Sequence, residues 1–203
     1  MGIEVTHHGG GAESAEPPAR GAFYFDFASP EAYLAAERVL QTLPFAAEWT
    51  PIRAPRAWDD GFRCAEERAI AQGEVERRAA ARLLQGVRWP PDGFSSEAAL
   101  RAATYAKQIG RVVAFSLAAF RQAYAGGHDL SDTDVVLIAA SACEMHPRAV
   151  LQALERDAVV RALDDATAEA VARGIVAVPT VWTPDGALLE GDASLDSVGT
   201  TAP

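Results

Sequence analysis

Residues 23–40 read FYFDFASPEAYLAAERVL. The first part, AFYFDF from Ala22, is a short aromatic-rich run that suits a strand covered on both faces. PEAYLAAERVL follows with helix formers and apolar Tyr33, Leu34 and Leu40, so the chain turns from strand to helix at Ser29-Pro30. A serine hydroxyl for an orphan N–H, a proline with preset φ and Glu31 in the first turn are what a helix start requires. The same geometry permits a second reading. Unpaired N–H groups and partial positive charge at a helix start can hold an anion such as a thiolate, with the hydroxyl donating to sulfur. A helix terminus contributes about 0.3–2 kcal/mol and a charge-assisted hydrogen bond about 1.5–3, where one pKa unit is about 1.4. A depression of about two units from 8.5 raises the thiolate share at pH 7 from a few per cent to about three-quarters. Ser29 is not itself a thiol, so the sulfur must arrive with a ligand.

Outward from this switch, Phe45 to Ile52 is a second strand candidate, ending at the proline-rich PIRAPRAW. The chain therefore opens β-α-β. From about Cys64 to Arg173 every long segment has helical character. AEERAIAQGEVERRAAARLL mixes alanine with oppositely charged near neighbours. Val113, Leu117, Phe120 and Tyr124 form one apolar helical stripe. Ser131-Asp132-Thr133-Asp134 resembles a capping box, Pro147 fits a first helical turn, and Gly174 fits a left-handed helix end. Trp89-Pro90-Pro91 reads as a rigid bend between helices. Strand signals return in VPTVWT and ALLE, joined through Pro184-Asp185-Gly186 as a hairpin. Val178-Pro179 between the last long helix and this hairpin reads as a plain strand start. Alternatively it is a cis bond that aims the Val178 backbone outward to pair with an extended ligand. The order β-α-β, helical block, helix, β-β is that of a thioredoxin-like sheet interrupted by helices.

The 203 residues are 49% hydrophobic, enough for a substantial core, and carry net charge −10 from 18 basic and 28 acidic side chains. That charge repels a phosphate backbone and disfavours nucleic acid and anionic membranes as partners. A small molecule is the expected partner. No run reaches the length of a membrane span, and MGIEVTHHGGGAESAEPPAR lacks the basic-then-apolar order of a secretory signal. Residues 1–20 are read as a flexible leader on a cytoplasmic protein. Cys64 and Cys143 lie outside any C-x-x-C and are read as small buried hydrophobes. His7-His8, His128 and His146 lack partners at metal or catalytic spacing, so no metal is expected. Asp26 is either a proton relay beneath the site or a strand-end carboxylate satisfied by backbone N–H groups. Arg53, Arg56, Trp58 and Arg63 belong either to a solvated loop or to a surface that meets a ligand carboxylate.

FYFDFASPEAYLA, GIVAVPTVW and the helical block between them resemble the DsbA-like thioredoxin superfamily over about residues 21 to 196. Within it they are most similar to 2-hydroxychromene-2-carboxylate isomerases and kappa-class glutathione transferases. The resemblance implies an α/β, thioredoxin-like fold with a central mixed sheet and an all-helical insertion. Residues 21–63 and 157–203 would form the thioredoxin-like domain, and 64–156 the insertion. It further implies that Ser29 holds the sulfur of glutathione, or of another low-molecular-weight thiol, and that Val178 with cis-Pro179 pairs with its backbone. The implied reaction is isomerisation of an unsaturated aromatic acid. A kappa-like transferase and a non-catalytic binding protein are the alternatives, and a homodimer is common in these relatives. Where the disulfide oxidoreductases of the superfamily carry C-x-x-C, this chain has Ser29-Pro30-Glu31-Ala32, which argues against dithiol chemistry. Relatives carry Gly-x-Asp-Arg near the C-terminus for the γ-glutamyl end of glutathione. Here Gly191-Asp192-Ala193-Ser194 supplies Asp192 after a one-residue shift, without the arginine.

Overall fold

The computed structural model describes residues 20–198. The leader assigned to 1–20, apart from Arg20, and the His7-His8 pair lie outside the described residues, as do residues 199–203.

Among the described residues four strands form one mixed sheet in the order β2-β1-β3-β4: β1 Gly21–Phe25, β2 Ala47–Pro51, β3 Thr180–Trp182 and β4 Leu188–Glu190. β1 runs parallel to β2 and antiparallel to β3, and β3 pairs antiparallel with β4. The sequence reading of a strand covered on both faces holds: all five β1 residues are buried. Its alternate side chains enter two separate clusters. Phe23 and Phe25 face Trp49 and Phe120, while Ala22 and Tyr24 face Ile52, Ala170 and Ile175. Gly21 has no room for a side chain, since a Cβ there would lie 2.6 Å from the Trp182 carbonyl oxygen.

Nine helices are described: α1 Pro30–Ala36, α2 Val39–Thr42, α3 Ala65–Ala81, α4 Glu97–Gln108, α5 Val112–Tyr124, α6 Thr133–Ser141, α7 Pro147–Leu154, α8 Asp157–Ala172 and α9 Leu195–Val198. Helices α3 to α7 occupy the segment assigned to the insertion, yet they share one core with the sheet. The Phe120 ring of α5 lies 5.7 Å from Phe25 and 4.8 Å from Phe27. Among the described residues no helix is long and apolar enough to cross a membrane.

Several local expectations are corrected. The helix expected through Leu40 stops at Ala36. A turn at Glu37-Arg38 lets the Glu37 carboxylate accept from Nε and Nη2 of Arg121 at 2.7 Å, and it leaves Val39 buried and Leu40 61% exposed. Of the α5 stripe, Phe120 and Tyr124 are buried while Val113 and Leu117 pack against the core only in part. Asp132, rather than Ser131, caps α6, its carboxylate accepting from the Asp134 N–H at 2.9 Å. Ser131 instead accepts from the Ser95 N–H at 2.7 Å. Cys143 is buried as expected, but Cys64 stands exposed at the start of α3. Gly174 and Gly186 take the positive φ that the helix end and the hairpin require, +86° and +90°.

Candidate functional site

The switch after β1 is built around Asp26. One carboxylate oxygen accepts from the Ala28 N–H and the other from the Ala54 N–H, both at 2.9 Å, which ties together the loops leaving β1 and β2. Of the two readings for Asp26, satisfaction by backbone N–H groups is the one observed, and the residue still borders the cavity described below. Burial pushes its carboxyl above the usual range, while hydrogen bonds from the Ala28 N–H, Ser96 and the Ala54 N–H pull it back.

Three residues past Asp26, Ser29 caps α1, its Oγ accepting from the Ala32 N–H at 3.2 Å with Pro30 at the first helical position. The hydroxyl proton goes elsewhere: Ser29 Oγ donates to the Val178 carbonyl at 3.2 Å, across 149 positions of sequence. The Val178-Pro179 bond is cis. β3 lies against β1 and sets Thr180 beside Tyr24, which brings the proline loop to the Ser29 end of the sheet. Thr180 Oγ1 braces that loop by donating to the Ala177 carbonyl at 2.8 Å. The Val178 N–H has no acceptor among the described residues.

Ser29 and Val178 share the wall of a cavity of about 410 Å³ with Glu31, Arg56 and Trp58. Ser29 is only 4% exposed, so its contribution to that wall is small. A ligand anion reaching it must take the proton now donated to the Val178 carbonyl.

Arg53 also borders the cavity, in the company of acids. It grips Glu97 with two nitrogens at 2.8 and 2.7 Å, and its third pairs with Asp164. Arg101 adds a bond to Glu97 at 2.8 Å. The Arg53 hydrogen bond is the main reason that the Glu97 carboxyl falls from 4.5 to about 2. A lowered carboxyl stabilises the fold above its unfolded value and loses that stabilisation as pH falls. Here the loss runs from about pH 4.5 down to about 2. Because the Glu97 side chain is 33% exposed, solvent screening leaves about 1 kcal/mol of effect. Urea unfolding of the wild type should therefore show an acid-side decline that is shallower in Glu97→Gln; equal slopes would remove Glu97 as its source.

Asp192 is not brought to the cavity. Its side chain is fully enclosed, with Arg82 at 2.7 Å, Arg78 at 3.3 Å and Arg38 at 3.8 Å. Burial raises its carboxyl, and Arg82, Arg78 and Arg38 offset part of that rise. It meets the cavity only indirectly, since Arg78 also donates to Glu31 at 2.8 Å. Sequence reasoning missed these arginines, although Arg78 on α3 and Arg82 at its C-cap, spaced i, i+4, are a legible basic face. Arg63, another candidate, pairs with Glu67 and points into solvent, 89% exposed. Trp89 stacks on Trp58 at 5.7 Å and donates to Glu76 at 2.7 Å. Among the described residues no three His, Cys, Asp or Glu side chains are grouped to hold a metal ion.

The sequence profile of the DSBA-like thioredoxin domain matches residues 22–200. No curated protein matches the sequence. Among solved structures, a 2-hydroxychromene-2-carboxylate isomerase superposes with a TM-score of 0.75 at 18% identity, over 88% of this chain and 91% of the other. A probable DsbA oxidoreductase from Streptomyces coelicolor gives 0.70 at 19% identity, over 91% and 92%. The cytosolic disulfide reductase DsbM from Pseudomonas aeruginosa, determined with GSH, gives 0.58 at 14%, over 89% and 93%. At these identities the likeness is one of fold. With a match spanning nearly all of the described residues, the chain belongs to the DSBA-like thioredoxin domain family.

Proposed function

We propose that the protein is a thiol-dependent isomerase of the 2-hydroxychromene-2-carboxylate type, acting on a small unsaturated aromatic acid with glutathione or another low-molecular-weight thiol. The observation that carries this reading is the 3.2 Å contact between Ser29 Oγ and the Val178 carbonyl on the wall of one cavity. The neighbours described as an isomerase of this type and as a reductase determined with GSH lend support at the level of fold.

The wall suits the thiol end of glutathione: a hydroxyl is available to a sulfur, and the Val178 N–H is free for a peptide carbonyl. Asp192 gives no contact for the γ-glutamyl end, because its carboxylate is closed off by arginines. When bound, the thiol supplies a sulfur nucleophile that adds to an activated double bond and leaves after rotation. The chain's own groups act around it. Ser29 Oγ turns its proton from the Val178 carbonyl to the sulfur while continuing to accept from the Ala32 N–H. The enclosed setting of Ser29 strengthens that bond by excluding water. Ser29-Pro30-Glu31-Ala32 contains no cysteine, so a disulfide cannot form within the chain at this position.

Incubation with 2-hydroxychromene-2-carboxylate and millimolar glutathione tests the reading. Proton NMR should show conversion to the trans isomer that requires the thiol, with the free thiol unchanged at the end. Conversion at the same rate without thiol would overturn it. Stoichiometric loss of thiol with a halogenated aromatic would indicate a transferase instead.

A further inference from the structure

The charged side chains on the cavity wall are nearly all paired. Arg53 is saturated by Glu97 and Asp164. Glu97 is held by Arg53 and Arg101, Glu31 by Arg78, and Asp26 by backbone N–H groups. Arg56 differs from all of them: it is exposed at the rim and has no acceptor among the described residues. Its guanidinium lies over Gly61, with Nη2 3.8 Å from the place a Cβ would take, and both residues border the cavity.

Trp58 stands two residues further on and borders the same cavity. Its indole is held by two other rings. Trp89 stacks on it with an interplanar angle of 18°, and Phe62 meets it edge-on at 4.7 Å. Trp89 does not border the cavity, so Trp58 is the fixed aromatic surface available to a ligand there.

We infer that Arg56 holds the carboxylate of the organic ligand and Trp58 stacks on its ring, whereas Arg53 is structural. This assignment rests on the reading of the ligand as a small aromatic acid and adds which residues select it. A planar guanidinium free of partners can take a carboxylate through two parallel N–H bonds. An indole whose position is fixed offers an offset-stacked partner at low entropic cost. Arg53 cannot serve in the same way without abandoning Glu97, which would leave that carboxylate with Arg101 alone.

Calorimetric titration with trans-cinnamate and with its neutral isostere cinnamamide, in the absence of any thiol, tests the assignment. The wild type should bind the acid more tightly than the amide by about tenfold or more. Arg56→Gln should lose that preference while its melting temperature stays at the wild-type value. Trp58→Leu should weaken acid and amide alike. Equal affinity of the wild type for both probes, no binding of cinnamate, or an undiminished preference in Arg56→Gln would each overturn it. Since no thiol is present, failure here is distinguishable from failure of the isomerase reading, which is judged by thiol-dependent conversion.

Discussion

Ser29→Ala is expected to reduce thiol-dependent turnover by about 10- to 100-fold while leaving the protein folded. The lost interaction is a hydroxyl hydrogen bond to an anionic sulfur, about 1.5–3 kcal/mol, and each 1.4 kcal/mol is a factor of about ten in rate. The same change removes a helix cap, because the Ala32 N–H loses its acceptor. That costs about 0.5–2 kcal/mol, a minor part of the roughly 5–15 kcal/mol that stabilises a domain. Two readouts therefore separate the roles. A cap alone would lower the melting temperature by a few degrees and leave kcat at saturating thiol unchanged. Ser29→Thr restores the hydroxyl and should recover part of the rate. Its added methyl must be accommodated where the serine is only 4% exposed, so full recovery is not expected. Wild-type kcat in Ser29→Ala would remove the residue from the chemistry.

The largest expected loss of stability comes from a residue outside the cavity. Asp192→Asn should cost about 3–5 kcal/mol, because it leaves guanidinium groups partly buried without their counter-charge. The enclosed carboxylate is shared by Arg82, Arg78 and Arg38, and Arg38 and Arg82 reach Asp196 as well. Helix α3 depends on this contact. Only Val75 and Ala79 of its 17 residues are buried, so apolar packing anchors it weakly. Denaturant unfolding measures the loss directly. Removing Arg82 together with Asp192 should cost less than the sum of the single changes, since the paired charges disappear together. An Asp192→Asn protein within about 1 kcal/mol of wild type would show that the carboxylate is not what holds the arginines.

How far the sequence could lead depends on the range of the interactions involved. Ser29-Pro30-Glu31 was legible because capping is a local rule. Local rules left Val178-Pro179 open between a strand start and a cis bond. Only its place in the β-α-β and hairpin layout, with the resemblance, pointed to the cis form that is observed. Arg53 and Arg56 were not separable in the sequence. They lie three positions apart in one loop, and their difference comes from what α4 and α8 present: Glu97 and Asp164 pair with Arg53 and not with Arg56. The Asp192 cluster was hidden for the same reason, its pairs to Arg82 and Arg78 spanning 110 and 114 positions. Leu40 was misplaced because periodicity extends a helix until something interrupts it, here the turn at Glu37-Arg38 that ends α1 at Ala36. Cys64 was misjudged from the average behaviour of its residue type, whereas its position at the exposed start of α3 decides its environment.

Ultraviolet titration of the glutathione complex, following thiolate absorbance, tests most directly whether Ser29 receives a sulfur anion. The bound thiol of the wild-type protein should titrate about one to three units below the free value of about 8.5, and Ser29→Ala should move it back by at least one. A bound thiol that titrates at its free value, and at the same pH in both proteins, would contradict the account.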